Sequence, residues 1–295
     1  MAKFVLSCCS TADLPASHFE ERAIPCLFFH YSIDGVSYPD DLGKTVPYDK
    51  FYKMIDDGAM PVTSQPNAQE YMDFWKPFLD QGKDVFHITL SSGISGAFNS
   101  AQIAKEEMSE KYPNQKIIVL DSLGASSGYG MLVDYVADLR DQGADLQEAY
   151  NWAVKNRLHV HHWFFSTNLT HYKRGGRISS TAALVGGLLR ICPLMNVDHD
   201  GKLAPREKIR LKKKAIEESV NRMKEHADNG TEYDGRCYIC NSACIADAEE
   251  LKSKIEADFP HMKDKIVITN IGAVIGSHTG PGTIALFFMG DERLD

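Results

Sequence analysis

The sequence predicts an α/β protein: a parallel sheet with helices on both faces in the first half, and a second α/β domain in the rest. Three observations lead there. Short β-branched runs alternate with helical patterns through the first 158 residues, the rhythm of a doubly wound sheet. The later residues switch to closely spaced strands with a hairpin signal at Asp200-Gly201. The length of 295 residues accommodates two domains, divided near Leu158 into 1–158 and 159–295.

Taken in order, Lys3–Cys8, Ile24–Tyr31, Val85–Leu90 and Lys116–Leu120 read as strands. Asp34-Gly35 within Ile33–Tyr38 marks a two-residue hairpin. Helices are expected over Pro47–Asp57, where proline suits a first turn, and over Ala68–Gln81, Ala97–Tyr112, Gly128–Gln142 and Asp145–Asn156. The second half begins with a strand at His159–Phe165. A short helical turn, the segment Lys173-Arg174-Gly175-Gly176-Arg177 and a helix at Thr181–Leu189 follow. Strands Cys192–Val197 and Lys202–Pro205, a charged helix Arg210–Ala227, strand Cys237–Cys240, helix Asp247–Phe259 and strands Ile266–Ile271 and Thr283–Phe288 complete the pattern.

A net charge of −8 argues against nucleic acid as a partner. The one dense cation run, Lys208 to Lys214, suits local docking of an acidic partner. No run approaches the ~18 apolar residues of a membrane span, so no stable membrane insertion is expected. MAKFVLSCC is too short an apolar region for a secretory leader, and seven scattered cysteines fit reduced thiols in the cytoplasm.

Two turns between a strand and a helix carry hydroxyls. Thr63-Ser64-Gln65-Pro66 precedes one helix, where a hydroxyl either caps the backbone or faces an anion. Ser91-Ser92-Gly93-Ile94-Ser95-Gly96 lies where doubly wound sheets bind ligands, beyond the strands' carboxyl ends. It is neither a nucleophile elbow nor a phosphate loop, since the first glycine of G-x-S-x-G and the G-K-[ST] ending are both missing. Gly276-Ser277-His278-Thr279-Gly280-Pro281-Gly282 reads as a constrained loop exposing an imidazole.

Three segments imitate metal sites, and no metal or other cofactor is expected. In His159-Val160-His161-His162 only His159 and His161 share a strand face. Cys237 and Cys240 fall on opposite faces, as buried thiols do. Asn196, Asp198, Asp200, Gly201, Leu203 and Glu207 follow most of a calcium-loop spacing, but Pro205 interrupts it and a hairpin accounts for the same residues.

TSQPN at 63–67, LSSGISGAFNSA at 90–101, KRGGRIS at 173–179 and IGAVIGSHTGPG at 271–282, in this order, resemble the signatures of the DegV family. The resemblance implies the DegV fold: a Rossmann-like N-terminal domain and a C-terminal α/β domain with a fatty acid between them. It implies the role of the FakB subunits of bacterial fatty acid kinase, which bind a long-chain fatty acid and present its carboxylate to a kinase subunit for acyl-phosphate formation. No independent enzymatic activity is expected; a stand-alone hydrolase or a lipid carrier without a kinase partner are the alternatives. On this reading Thr63, Ser64, Ser91, Ser92, Gly93, Ser95 and His278 bind the ligand. His278 also serves the phosphorylation, and Arg210, with Arg206 as the alternative, contacts the partner. Asn67 and Ala97 stand where serine and threonine are frequent in the family. Thr181–Leu189 and Thr283–Met289 are expected to wall the lipid tunnel.

Overall fold

The computed structural model describes residues 4–178 and 192–293. The first half runs through β1 (Phe4–Cys9), α1 (Ala16–Glu21), β2 (Cys26–Leu27), β3 (His30–Ile33), β4 (Val36–Pro39), α2 (Tyr48–Asp56), β5 (Val62–Ser64), α3 (Ala68–Leu79), β6 (Asp84–Thr89), α4 (Ala97–Lys111), β7 (Ile117–Asp121), α5 (Ser126–Asp141) and α6 (Leu146–Asn156). The second continues with β8 (Val160–Ser166), α7 (Thr170–Gly175), β9 (Cys192–Val197), β10 (Leu203–Ile209), α8 (Lys212–His226), β11 (Cys237–Asn241), α9 (Ile245–Asp258), β12 (Ile266–Asn270), α10 (Ala273–Thr279) and β13 (Thr283–Met289). The expected helix at Thr181–Leu189 lies outside the described residues.

The strands form three sheets. A parallel sheet has the order β2-β1-β6-β7. A mixed sheet has the order β10-β9-β8-β13-β11-β12, with β11 and β12 its parallel pair. A small antiparallel sheet, β4-β3-β5, stands apart. Its hairpin turns at Asp34 and Gly35, both at positive φ, as a type I′ turn requires. The expected strand Ile24–Tyr31 is therefore two strands in two sheets. Between them the Phe29 N–H donates to the Ser10 hydroxyl instead of a neighbouring strand, and the chain changes sheet there.

Helix α5 is buried along most of its length. It packs on β1 of the parallel sheet and on β8, β11 and β13 of the mixed sheet, so only Tyr135, Asp138, Leu139 and Asp141 along it are not buried. One large core runs through it from Leu6 and Phe86 on one side to Phe165 and Phe288 on the other.

The segment 276–282, expected as a loop, is in large part α10. Its N-terminus has no cap of its own. Instead Asp13 Oδ1 accepts from the Gly272 N–H at 3.0 Å, and Asp40 Oδ1 from the Ala273 N–H at 3.1 Å. These carboxylates satisfy donors that local sequence leaves orphaned, which is why the helix is not legible locally. α10 packs on α2, α7, β3 and β5, which places the second-half residue His278 beside the small sheet.

Candidate ligand cavity

A cavity of about 310 Å³ opens where the three sheets meet, within the ~300–1,000 Å³ of small-molecule sites. Most of its wall is apolar: Phe29, Leu90, Ile94, Phe164, Val197 and Ile275 among others. Thr283, Ala285 and Phe287 contribute from β13, every second residue, as a strand presents one face. Of the segment Thr283–Met289, these three residues form part of the cavity wall.

Thr63, Ser64, Ser95 and His278 all line this cavity. Thr63 and Ser64 end β5, and Asn67 caps α3 in a reciprocal box: its Oδ1 accepts from the Glu70 N–H, and Glu70 Oε2 from the Asn67 N–H. Ser95 donates to Gln65 Oε1 at 3.1 Å and accepts from the Ala97 N–H at 3.2 Å. Gln65 thus ties the two hydroxyl-bearing turns together, a role the residue type alone did not signal.

His278 Nε2 lies 2.8 Å from Thr63 Oγ1. Burial, with Arg177 and Arg174 nearby, holds the imidazole down at about 4, so it is neutral at pH 7. Its Nδ1 is buried without a partner among the described residues. It packs so closely on Gly175 that a Cβ there would sit 2.4 Å away. A bare lone pair is cheaper to leave unpaired than an N–H. We therefore assign the proton to Nε2, which donates to Thr63. The Thr63 hydroxyl keeps its own hydrogen to offer into the cavity.

Arg177 also lines the cavity, with Nε donating to the Ile94 carbonyl. Arg174 donates to the Pro61 and Ser277 carbonyls. A second hollow beyond Thr63 and His278 is lined by Met60, Val62, Arg174 and Arg177. The KRGGR segment therefore supplies the positive charge near the polar end. It carried a family resemblance in the sequence but no assigned role.

The other sequence candidates lie elsewhere. Ser91 is fully buried and outside the cavity wall: its hydroxyl donates to the Gly201 carbonyl at 2.8 Å and accepts from the Gly93 N–H. A Cβ on Gly93 would fall 2.7 Å from the backbone of Asp200 and Gly201. Both residues serve as a seat for the β9–β10 turn, since their polar and steric capacity is consumed there. Ser92 is exposed, and its N–H donates to Asp121 Oδ1. Arg210 is exposed between β10 and α8 and is not part of the cavity wall.

The metal-like segments resolve as follows. Asp198 Oδ1 accepts from the N–H groups of Asp200 and Lys202, which closes the β9–β10 hairpin. Cys237 and Cys240 are buried, free thiols. His161 meets two residues distant in sequence, His226 and Asp291, with ligand-type atoms within 4.8 Å of one another. The two imidazoles are stacked, with centroids 5.0 Å apart and planes at 19°. A metal sits in the plane of each ring it binds, and near-parallel stacked planes offer no common point. The trio is a hydrogen-bonded clip, with Asp291 accepting from His161 through its backbone carbonyl and from His226 through its carboxylate.

The cavity is thus a mostly apolar chamber with hydroxyls, a neutral imidazole and arginines at one end. The family model for the DegV family of uncharacterised proteins matches residues 8–291. The chain belongs to the DegV family. It is 38% identical over 293 residues to a DegV domain-containing protein of Clostridium perfringens, covering 99% of each chain. It superposes with TM-score 0.87 on a fatty-acid-binding DegV family protein from Thermus thermophilus, at 26% identity, over 98% of this chain and 100% of that one. A second solved relative is DegV, a fatty acid binding protein from Bacillus subtilis, with TM-score 0.83 and 26% identity over 99% and 100% of the two chains.

Proposed function

We propose that the cavity holds a long-chain fatty acid with its carboxylate at Thr63, and that the protein presents this end to a kinase subunit for conversion to an acyl phosphate. The carrying observation is the Thr63–His278 pair at 2.8 Å, with arginines close by, at one end of a mostly apolar wall. Apolar burial of the chain drives binding. A carboxylate tolerates enclosure when hydrogen bonds and positive charge meet it there. Ser64 and Ser95 belong to the same polar end. The acid is already ionised at neutral pH, so His278 need not remove a proton. Its task is to orient Thr63 and the carboxylate, positioning being the main demand of phosphoryl transfer. The exposed Arg210 faces the partner.

Native mass spectrometry of the protein incubated with palmitate tests the first step; a protein that stays unliganded overturns it. Acyl-phosphate formation with ATP and a bacterial fatty acid kinase subunit tests the second. His278→Ala is expected to keep palmitate and lose most of the phosphorylation, and Arg210→Ala to slow phosphorylation with unchanged palmitate affinity. Full phosphorylation by both variants removes those two assignments.

A further inference from the structure

Gln65, in the turn between β5 and α3, is half-buried, lines the cavity and holds two serines. Its Oε1 accepts from the Ser95 hydroxyl at 3.1 Å, and its Nε2 donates to the Ser100 hydroxyl on α4 at 3.0 Å. The amide comes this close because Gly96 has no side chain: a Cβ there would lie 3.0 Å from Nε2 and 3.1 Å from Oε1. Ser95 is itself half-buried and lines the cavity. Arg177 places it at the polar end, donating to the carbonyl of the preceding residue, Ile94, and lining the second hollow together with Thr63 and His278. Yet the Ser95 hydroxyl accepts from the Ala97 N–H and commits its one hydrogen to Gln65. In this arrangement it has no hydrogen to offer a ligand.

A carboxamide rotated by half a turn exchanges its oxygen and nitrogen within the same space. Both partners of Gln65 are hydroxyls, which serve as donor or acceptor alike. After the rotation Nε2 donates to Ser95 and Oε1 accepts from Ser100, so the amide keeps both hydrogen bonds. The Ser95 hydrogen is then released towards the cavity. We propose that Gln65 is a positioning residue of the head-group site, whose amide turns when the acid binds so that Ser95 donates to the carboxylate. Ser95 touches the ligand, and Gln65 acts through it. This rests on the fatty-acid reading above.

The test is a double-mutant cycle of Gln65→Glu and Ser95→Ala, read by palmitate titration and by thermal unfolding without ligand. Glutamate keeps the shape of glutamine but only accepts at neutral pH, so it holds the Ser95 hydrogen and cannot hand it over. Ser95→Ala is expected to bind palmitate about tenfold more weakly, the scale of one hydrogen bond to a charged group. Gln65→Glu is expected to cost about tenfold more affinity where Ser95 is present than where alanine replaces it. Repulsion between the new carboxylate and the ligand acts in both backgrounds and cancels in that comparison. The ligand-free melting temperature of Gln65→Glu is expected to match the parent's, because both serines keep their acceptor. Equal losses in the two backgrounds overturn the proposal, since they assign the effect to repulsion or packing. Palmitate binding by Ser95→Ala at the parent's affinity overturns it too. So does a melting temperature of Gln65→Glu that falls with its affinity, because Gln65 then acts on the fold and not on Ser95. A parent that fails to bind palmitate sinks the fatty-acid reading itself, before the variants are compared.

Discussion

The turn from β5 into α3 and the turn from β6 into α4 look alike in sequence, each rich in serine or threonine and each ending in a helix. Their fates differ. The first places Thr63 and Ser64 on the cavity wall, with the His278 imidazole against Thr63. The second sends Leu90 at its start and Ile94 and Ser95 at its far end into the cavity, while Ser91 and Gly93 between them seat the β9–β10 turn. A hydroxyl's role is thus decided by what a distant segment brings against it. α10 arrives at one turn and a hairpin at the other.

The largest effect expected from breaking this division is at Gly201→Ala. Gly201 has φ +74°, and a Cβ there would lie 2.0 Å from Ser91 Oγ. Positive φ and overpacking each cost on the order of 1–3 kcal/mol, so urea denaturation should show a loss of roughly 3 kcal/mol. Thr63→Val and Ser91→Ala should then separate cleanly. The first is expected to lose about 1.5–3 kcal/mol of palmitate affinity at nearly unchanged stability, and the second to lose about 1–2 kcal/mol of stability at unchanged affinity. Palmitate titration beside urea melts of both variants checks this, and matching behaviour would erase the distinction between the turns.

The anchor of α10 gives a pH signature. Burial pushes the Asp40 carboxyl up to about 6, against the hydrogen bonds from Ser10 and the α10 backbone; Asp13 beside it is raised as well, again by burial. The ordinary value in an unfolded chain is about 3.9. A raised carboxyl binds more protons folded than unfolded, so its contribution to stability is complete below about 4 and is lost as pH rises to about 6. Asp40→Asn removes this term. The parent should therefore become progressively less stable relative to the variant across that interval, and the difference should level off above it, as read from denaturation curves at several pH values. A parent that instead gains stability relative to the variant as pH rises would show that Asp40 is lowered. The smallest effect is expected at Ser92→Ala: exposed and outside the wall, it should change stability by no more than about 0.5 kcal/mol and leave affinity alone.

Much of the architecture was legible because it is written locally. The β-branched runs of β1, β6 and β7 and the turns at Asp34-Gly35 and Asp200-Gly201 carry their own signals. The site was legible in part. Thr63, Ser64, Ser95 and His278 all line the cavity, whereas Ser91 and Gly93 could not be told apart from them without knowing where the β9–β10 turn docks. α10 read as a loop because its caps lie in the first forty residues. The trio His161, His226 and Asp291 escaped notice because strand spacing shows only neighbours in the chain, and its members come from three separate segments. Arg177 stood within a quoted motif, but nothing in its spacing said that it would line the cavity.

The capping of α10 by Asp13 and Asp40 also bears on the order in which the protein can assemble. These hydrogen bonds span 259 and 233 residues of chain. Closing so long a loop adds little to its free-energy cost, which grows only logarithmically, but pairings of such separation form late. Until α10 docks, Tyr31, Phe51 and Tyr52 lack the cover that the segment from Ala273 onward supplies. A nascent chain carries this uncovered aromatic face through nearly all of its synthesis, and a chain shortened before residue 272 carries it permanently. Transiently exposed apolar surface of this kind draws chaperones and aggregation, so the last helix to be made is also the one that ends the first half's exposure.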